Sequence, residues 1–156
     1  MSTRSVVALP RDGGWEGRYV HCDGYPEARV PTLLALIERD GLDAVIEEVI
    51  EENYGWSYLD ENQTRSMHEI YRDGRFISRP GYGVAYTEEQ AGSDRWLDNL
   101  TADALWIEWV YIFNRTQIDI LASVKVKDAW TWERWGYVRY DDRQVVVLDP
   151  NQTALV

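Results

Sequence analysis

Residues 19–34, YVHCDGYPEARVPTLL, join a predicted β-strand to a predicted α-helix through one tight turn. Before the turn, successive side chains alternate between two faces, as they do in a strand. Asp23 and Gly24 form a strong turn dipeptide, and Pro26 and Pro31 prevent the strand from continuing. After Pro31 the apolar residues recur at helical spacing. The segment therefore predicts a strand, a turn and a helix in direct succession.

A hairpin is predicted on the N-terminal side of this segment. Residues 5–9 and 17–22 are rich in β-forming residues and are separated by a cluster of turn-forming residues. Alternation along the second strand places Val20 and Cys22 on one face of the sheet. The opposite face then carries Tyr19, His21 and Asp23.

Helices and then strands are predicted on the C-terminal side. The first helix ends at Gly41, and an apolar stripe from Leu42 to Ile50 predicts a second helix directly after it. Residues 53–80 have no sustained period and are predicted to be mostly loop, with one short helix at 66–74. Later strands are predicted at 81–86, 104–114, 118–126, 135–140 and 145–149.

The order of these elements predicts the fold class. Helices early and strands late are typical of an α+β domain. We expect an antiparallel sheet, built from the N-terminal hairpin and a C-terminal β-meander, with two helices packed on one side. The chain of 156 residues, 45% hydrophobic and 28% charged, is predicted to be a single domain, 1–156.

The charge of the chain disfavours nucleic acid as a partner. Sixteen basic residues against 27 acidic ones give a formal net charge of −11, which would repel a phosphate backbone. The charge is also uneven, because residues 38–61 contain nine acidic residues and one basic residue, a local net of −8. We therefore expect one strongly acidic face on the protein.

Membrane insertion and disulfide formation are not expected either. The longest apolar run, around 105–113, is interrupted by Glu108 and is far shorter than the roughly 20 residues that span a bilayer. The N-terminus lacks the apolar core of a secretion signal. Cys22 is the only cysteine. These features predict a cytoplasmic protein.

The end of the second predicted strand is the first candidate site. Tyr19, His21, Asp23 and Tyr25 would place an imidazole beside a carboxylate, a pair that can hold a polar ligand or transfer a proton. Trp56, predicted in a loop, would add an aromatic surface for the same ligand. The alternative is structural, since Asp23 can accept turn amides while His21 is half-buried in a hydrogen bond.

The second predicted helix and two tryptophans form a candidate partner-binding surface. Its carboxylates lie off the apolar stripe, and a row of like charges could complement a basic groove on another protein. The alternatives are a solvated helix face and a tryptophan-rich core. We place Trp106 and Trp109 in a central strand and in the core. The predicted partner-binding residues are Glu47, Glu48, Glu51, Glu52, Trp130 and Trp132.

No metal, cofactor or catalytic constellation is predicted. The only histidines, His21 and His68, lie far apart, and no carboxylate has a helical ligand spacing from either. The glycines form neither a Walker loop nor a dinucleotide loop. Alternation places Cys22 on the opposite face from His21, which disfavours a Cys-His pair.

Residues 19–26 contain the signature Tyr-x-His-x-Asp-Gly-Tyr-Pro after an N-terminal strand. With this signature, and more loosely with WIEWVYIFN at 106–114, the chain resembles a family of small proteins from bacteriophages and actinomycetes. Cys22 stands where an aromatic or another residue is more frequent. The resemblance implies phage or prophage biology and implies no particular activity.

Together these features lead to three functional expectations. The first is a small acidic, tryptophan-rich protein of phage type that acts in the host bacterial cytoplasm. It would inhibit or modulate a host protein with a basic surface, for instance as a counter-defence factor. The second is a module for a small nucleotide-like ligand, and the third is an acid–base enzyme in which Asp23 orients His21.

Overall fold

The computed structural model describes residues 3–64, 75–91 and 96–148. Within these ranges the chain forms one ten-stranded sheet with helical segments packed against it. The strands are β1 (Ser5–Arg11), β2 (Gly14–Val20), β3 (Trp56–Leu59), β4 (Phe76–Arg79), β5 (Gly83–Tyr86), β6 (Leu97–Asp98), β7 (Trp109–Phe113), β8 (Gln117–Val126), β9 (Ala129–Arg139) and β10 (Val145–Val147). The α-helices are α1 (Pro26–Asp40), α2 (Leu42–Ile46) and α3 (Glu88–Ala91). A π-helical turn (Glu47–Glu51) continues α2, and a 3₁₀ turn (Ala102–Leu105) precedes β7.

The sheet is mixed, although most of its neighbouring strands are antiparallel. Its order is β10-β9-β8-β7-β1-β2-β3-β5-β4, and β6 pairs with β2 beside this path. Two pairs are parallel, β1 with β7 and β2 with β3. Each parallel pair joins segments that lie far apart in the sequence, because parallel strands need a long crossover connection. The N-terminal hairpin therefore lies at the centre of the sheet.

Helix α1 begins at the proline that ends the turn after β2. Pro26 occupies its first turn, where a missing N–H costs nothing, and Gly41, with φ of 89°, ends it. The Gly41 N–H donates to the carbonyl oxygen of Ile37 at 2.8 Å. Helix α2 then follows directly and widens into the π-helical turn, where the Glu52 N–H reaches the carbonyl oxygen of Glu47.

The two faces of the sheet bury separate apolar clusters. The first cluster lies between the helices and the sheet, with Leu33, Val49 and Trp56 among its fully buried members. The second cluster, on the face without α1 and α2, includes Val6, Trp15 and Ile107. Val6 and Val7 are neighbours in β1 and belong to different clusters, as alternation along a strand requires.

The predicted α+β class is confirmed, with an N-terminal hairpin, a mostly antiparallel sheet and helices packed on one side. The loop predicted at 53–80 is wrong in part, because β3 and β4 lie within it. These strands have only four residues each, too few to show a period in the sequence. The short helix predicted at 66–74 lies outside the described residues.

The strand predicted at 104–114 is shorter in the structure. Strand β7 begins only at Trp109, and Trp106 precedes it with φ of 61° and 75% of its surface exposed. The prediction of Trp106 as a core residue is therefore wrong. A positive φ breaks the extended backbone and turns this side chain away from the sheet.

Candidate functional site

The turn between β2 and α1 is held by close backbone contacts. Asp23 has φ of 55°, in the left-handed region that Asp tolerates better than most residues. The Gly24 N–H donates to the carbonyl oxygen of Thr3 at 2.9 Å. A Cβ at Gly24 would come within 2.7 Å of that oxygen and of the Ser5 side chain. Glycine is therefore required at this position for the two chain segments to meet.

Two core side chains bind the carbonyl groups of the same turn. Arg29 is 1% exposed, and its Nη2 donates to the carbonyl oxygens of Cys22 at 2.6 Å and Asp23 at 3.2 Å. The Tyr111 hydroxyl donates to the carbonyl oxygen of Gly24 at 2.5 Å. Buried carbonyl groups need such partners, so these contacts give the turn a structural role in joining the sheet to the helix.

Two of the predicted ligand residues belong to the exposed side of this turn. Asp23 is exposed, and Tyr25 is the residue that precedes α1, with 42% of its surface exposed. Their backbone is held in place by α1 and by the core, while their side chains face solvent. A role for Asp23 and Tyr25 in ligand binding stays a prediction.

The imidazole of His21 has Tyr19 as its hydrogen-bond partner. The Tyr19 hydroxyl oxygen lies 2.5 Å from Nδ1 of His21. Burial and the nearby charge of Arg4 lower the pKa of His21, while burial raises the pKa of Tyr19. Both shifts favour the neutral forms, so we infer that Tyr19 donates to Nδ1 and that Nε2 carries the imidazole proton. Nε2 has no hydrogen-bond partner among the described residues.

Two further rings extend this pair into an aromatic cluster, defined as Tyr19, His21, Phe76 and Tyr86. The Tyr19 and Tyr86 rings are nearly parallel, at 14°, with centroids 6.3 Å apart. The Phe76 ring lies 5.8 Å from that of Tyr86, and burial raises the pKa of Tyr86. Gly55 lies between Tyr19 and Tyr86, where a Cβ would come within 3.3 Å of the Tyr86 ring. The sheet order β2-β3-β5-β4 assembles the cluster, since the short strand β3 joins β5 and β4 to β2.

Sequence reasoning missed Phe76 and Tyr86, because β4 and β5 come to β2 only through the order of the sheet. Arg4 was missed as well; its Nη1 donates to the carbonyl oxygen of Leu105 at 2.9 Å. The only signal in the sequence was the predicted strand at 81–86, which contains Tyr86. That signal does not show which strand becomes its neighbour.

The placement of Trp56 in a loop is wrong. Trp56 begins β3, is fully buried in the cluster under the helices, and donates from Nε1 to the carbonyl oxygen of Val49 at 2.9 Å. Val20 pairs with Trp56 across the sheet, so Tyr19 and His21 lie on the other face. The structure therefore separates Trp56 from the aromatic cluster, and the indole is a core residue with a satisfied N–H.

The carboxylates of the predicted acidic helix lie on the π-helical turn and the residue after it. We define Glu47–Glu52 as the acidic turn. Glu47, Glu51 and Glu52 are exposed, and no ion pair joins them to a Lys or Arg of the described ranges. Glu48 differs from them, because it lies 3.8 Å from Nε of Arg79 and accepts a hydrogen bond from Asn53. A hydrogen bond with the Glu52 side chain, and then repulsion between the two carboxylates, raise the pKa of Glu47. The π-helical turn brings these two carboxylates together, since it places residues five apart above one another.

The two predicted partner-binding tryptophans lie on the opposite side of the sheet from the acidic turn. Trp132 packs edge to face on Trp15, with ring centroids 5.5 Å apart, against the second cluster. Trp130 precedes it by two residues on the same face of β9 and is 52% exposed. The predicted set of six residues therefore divides into two surfaces that one flat contact cannot cover.

Among the described residues, no group of His, Cys, Asp and Glu side chains is arranged to hold a metal ion. In the same part of the chain, no helix combines the length and the apolar character needed to cross a membrane. Comparison of the sequence with protein-family models and with curated proteins, and of the structure with solved structures, gave no match.

Proposed function

We propose that this chain is a small acidic binding protein whose acidic turn docks on a basic surface of a partner protein. The observation that carries the proposal is the set of exposed carboxylates at Glu47, Glu51 and Glu52, for which the described residues supply no cation. The hydrogen bond with Glu52 and the repulsion between the two carboxylates raise the pKa of Glu47. A Lys or Arg of a partner would relieve this repulsion and would also accelerate association by electrostatic attraction.

Buried side chains and hydrogen bonds hold the backbone of the acidic turn in place, which favours binding. Val45, Val49 and Ile50 are fully buried beneath it. The carbonyl oxygen of Val49 accepts a hydrogen bond from Trp56, and that of Ile50 accepts one from Nε of Arg18 at 2.6 Å. A charged surface on a rigid backbone loses little conformational entropy when it binds.

The family resemblance extends this proposal to a biological setting. In a phage or prophage context the partner would be a host protein of the bacterial cytoplasm, and binding would inhibit or modulate it. A counter-defence role is one form of this proposal. The acidic turn would then occupy a basic surface on the host protein that otherwise contacts an acidic substrate or partner.

The test compares charge reversal at the acidic turn with charge reversal elsewhere. Wild-type protein and the variant Glu47→Lys/Glu51→Lys/Glu52→Lys are immobilised and exposed to bacterial lysate, and retained proteins are eluted by rising salt and identified by mass spectrometry. A retained protein is then purified and its affinity is measured by calorimetry. We expect the triple variant to lose at least about tenfold in affinity, or about 1.4 kcal/mol.

The matched control is Glu89→Lys/Glu108→Lys/Glu133→Lys, which changes the net charge equally at exposed positions outside the acidic turn. Both variants should unfold at the wild-type temperature or above it. Equal affinity of the two variants for the partner would show that overall charge, and not the acidic turn, drives binding. That result would overturn the proposal.

A second candidate function is supported by the aromatic cluster. The cluster combines two nearly parallel tyrosine rings and the Nε2–H of His21, and the positive charge of Arg4 lowers the pKa of His21. Flat rings with a donor and a cation suit a planar anionic ligand of nucleotide type. This candidate keeps Tyr19 and His21 from the predicted ligand set and replaces Trp56 by Tyr86.

NMR titration with adenosine monophosphate tests this second candidate, with inorganic phosphate as a parallel probe. We expect shifts of the His21 ring signals with the nucleotide, and we expect the His21→Ala variant to lose binding while it unfolds at the wild-type temperature. Shifts with phosphate alone would assign the binding to the cation and not to the rings. If neither probe moves these signals, the candidate fails.

A further inference from the structure

Strand β10 ends the described sheet with a short edge that carries neither a charge nor a proline. Its three residues, Val145, Val146 and Val147, are 43%, 37% and 57% exposed. Natural edge strands avoid pairing by means of charges, prolines or bulges. The last strand at the other end, β4, contains Arg79, whereas β10 contains no charged residue.

The hydrogen bonds of β10 show which backbone groups face outward. The Leu148 N–H donates to the carbonyl oxygen of Trp135 in β9 at 2.9 Å. Successive residues of an antiparallel strand alternate between the two sides, so Val146 also faces β9 while Val145 and Val147 direct N–H and C=O groups away from it. Among the described residues no strand pairs with this outer side.

We propose that β10 pairs with β10 of a second copy of this chain, antiparallel and centred on Val146. In this register Val145 of each copy lies opposite Val147 of the other, and both form hydrogen-bonded pairs. Four hydrogen bonds then satisfy every outward donor and acceptor of the two strands. A two-fold axis through Val146 makes the contact self-complementary, which is the commonest symmetry of protein dimers.

The side chains and the charge of this region fit a second copy better than a charged partner. Each cross-strand pair would join two valines, and β-branched pairs stabilise antiparallel strands. Residues 115–148 contain six basic and five acidic residues, so they carry almost none of the net charge of −11. Two copies can therefore approach along this edge with little of the repulsion that the chain as a whole would produce.

The edge is also held in position before it pairs. The Arg143 guanidinium, in the connection between β9 and β10, lies 2.7 Å from the carboxylate of Glu38 in α1. Gly136 of β9 lies so close to β10 that a Cβ there would come within 2.3 Å of the Val146 carbonyl oxygen. Strand β9 thus sets the direction of β10, and the exposed ion pair joins the preceding connection to α1, which favours pairing without rearrangement of the chain.

Sedimentation equilibrium over a wide range of protein concentration tests the proposal with the full chain. We expect a mass approaching twice the monomer mass of 18.2 kDa as concentration rises. The variant Val147→Pro removes one outward N–H from each copy and should weaken association by about tenfold or more, because two of the four hydrogen bonds are lost. Val147→Thr, which keeps the N–H and the branched shape, should associate like the wild type.

A second variant guards against a local effect of proline on folding. Val145→Lys/Val147→Lys places like charges opposite each other across the axis and should be monomeric, with an unchanged unfolding temperature and circular dichroism spectrum. The amides at positions 145 and 147 should exchange more slowly in the wild type than in this variant. A wild type that stays monomeric at all concentrations, or a dimer that survives in both variants, would overturn the proposal.

Discussion

Arg29 is the side chain that connects the helix layer to the turn after β2. Besides the Cys22 and Asp23 carbonyl groups, it reaches the carbonyl oxygen of Leu59 from Nη1 at 3.4 Å. Burial lowers its pKa, which shows that the charge has been taken out of water. A buried guanidinium stabilises a fold mainly by leaving no carbonyl group beside it unpaired.

The variant Arg29→Ala should destabilise the protein by about 3 kcal/mol, because it leaves buried carbonyl groups without donors. Chemical unfolding in urea measures the change. Arg115→Ala is the control, since Arg115 is exposed and should change the free energy of unfolding by less than about 0.5 kcal/mol. Equal effects of the two substitutions would contradict the role assigned to Arg29.

His21 should titrate below the usual range of histidine, since burial and Arg4 both lower its pKa. A base whose pKa falls on folding contributes stability above its unfolded pKa, about 6.5. That contribution to stability is lost as the pH falls from the pKa of His21 in the unfolded state toward its lower pKa in the folded state. NMR titration of the two imidazoles, with His21→Gln to assign the signal, measures this. A midpoint at or above that of a free imidazole would contradict the neutral Tyr19–His21 pair.

The β8–β9 hairpin carries two tryptophans on one face with different surroundings. Trp132 packs on Trp15, which is 3% exposed, whereas Trp130 lies nearer the tip and is mostly in solvent. Strand β9 also has an irregularity opposite Ile120 and Leu121, which bends the outer half of the hairpin. The packing of one indole therefore holds this half of the hairpin against the second cluster.

We expect Trp132→Ala to cost about 2 kcal/mol, because it removes a half-buried ring and its contact with Trp15. The matched substitution Trp130→Ala should cost less than about 0.5 kcal/mol. Urea unfolding followed by Trp fluorescence and by circular dichroism gives both values. A larger loss of unfolding free energy for Trp130→Ala than for Trp132→Ala would mean that contacts near the tip stabilise the hairpin more than the contact between Trp132 and Trp15.

The chain as a whole depends on strand pairs that are distant in sequence. Strand β1 lies between β2 and β7, and Ser5 pairs with Trp109. Val6, Val7 and Ala8 are fully buried. Such a topology must close a long loop before its central strands can pair, which favours slow and cooperative folding.

Amide hydrogen exchange should be slower in the central strands than in the edge strands. We expect the slowest exchange in β1 and β7, whose amides open only with the whole domain. Strands β4 and β10 should exchange faster at low protein concentration, because fewer buried neighbours hold them. Exchange in β1 as fast as in β4 would show that the hairpin is not the centre of the cooperative unit.

Local sequence determined much of the fold, because its signals act between near neighbours. The alternation in residues 17–22, the turn at Asp23 and Gly24, the helix that ends before Gly41 and the β-rich C-terminal half are all present in the structure. The sequence predicts that this helix follows Pro31, whereas α1 begins at Pro26 and contains Pro31. Each of these features depends on backbone preferences and hydrophobic periods within a few residues. The α+β class follows from their order along the chain.

The composition of the candidate sites was decided by strand order, which no local signal encodes. Tyr19 and His21 lie near Tyr86 and Phe76 only because the sheet continues from β2 through β3 to β5 and β4. Trp56, predicted in a loop, is a core residue for the same reason. The two groups of the predicted partner surface are separated by the sheet between them. Short-range preferences of the chain therefore produced its strands, turns and helices. Long-range pairing decided which side chains share a surface, because apolar burial stabilises only the contacts that form in the complete sheet.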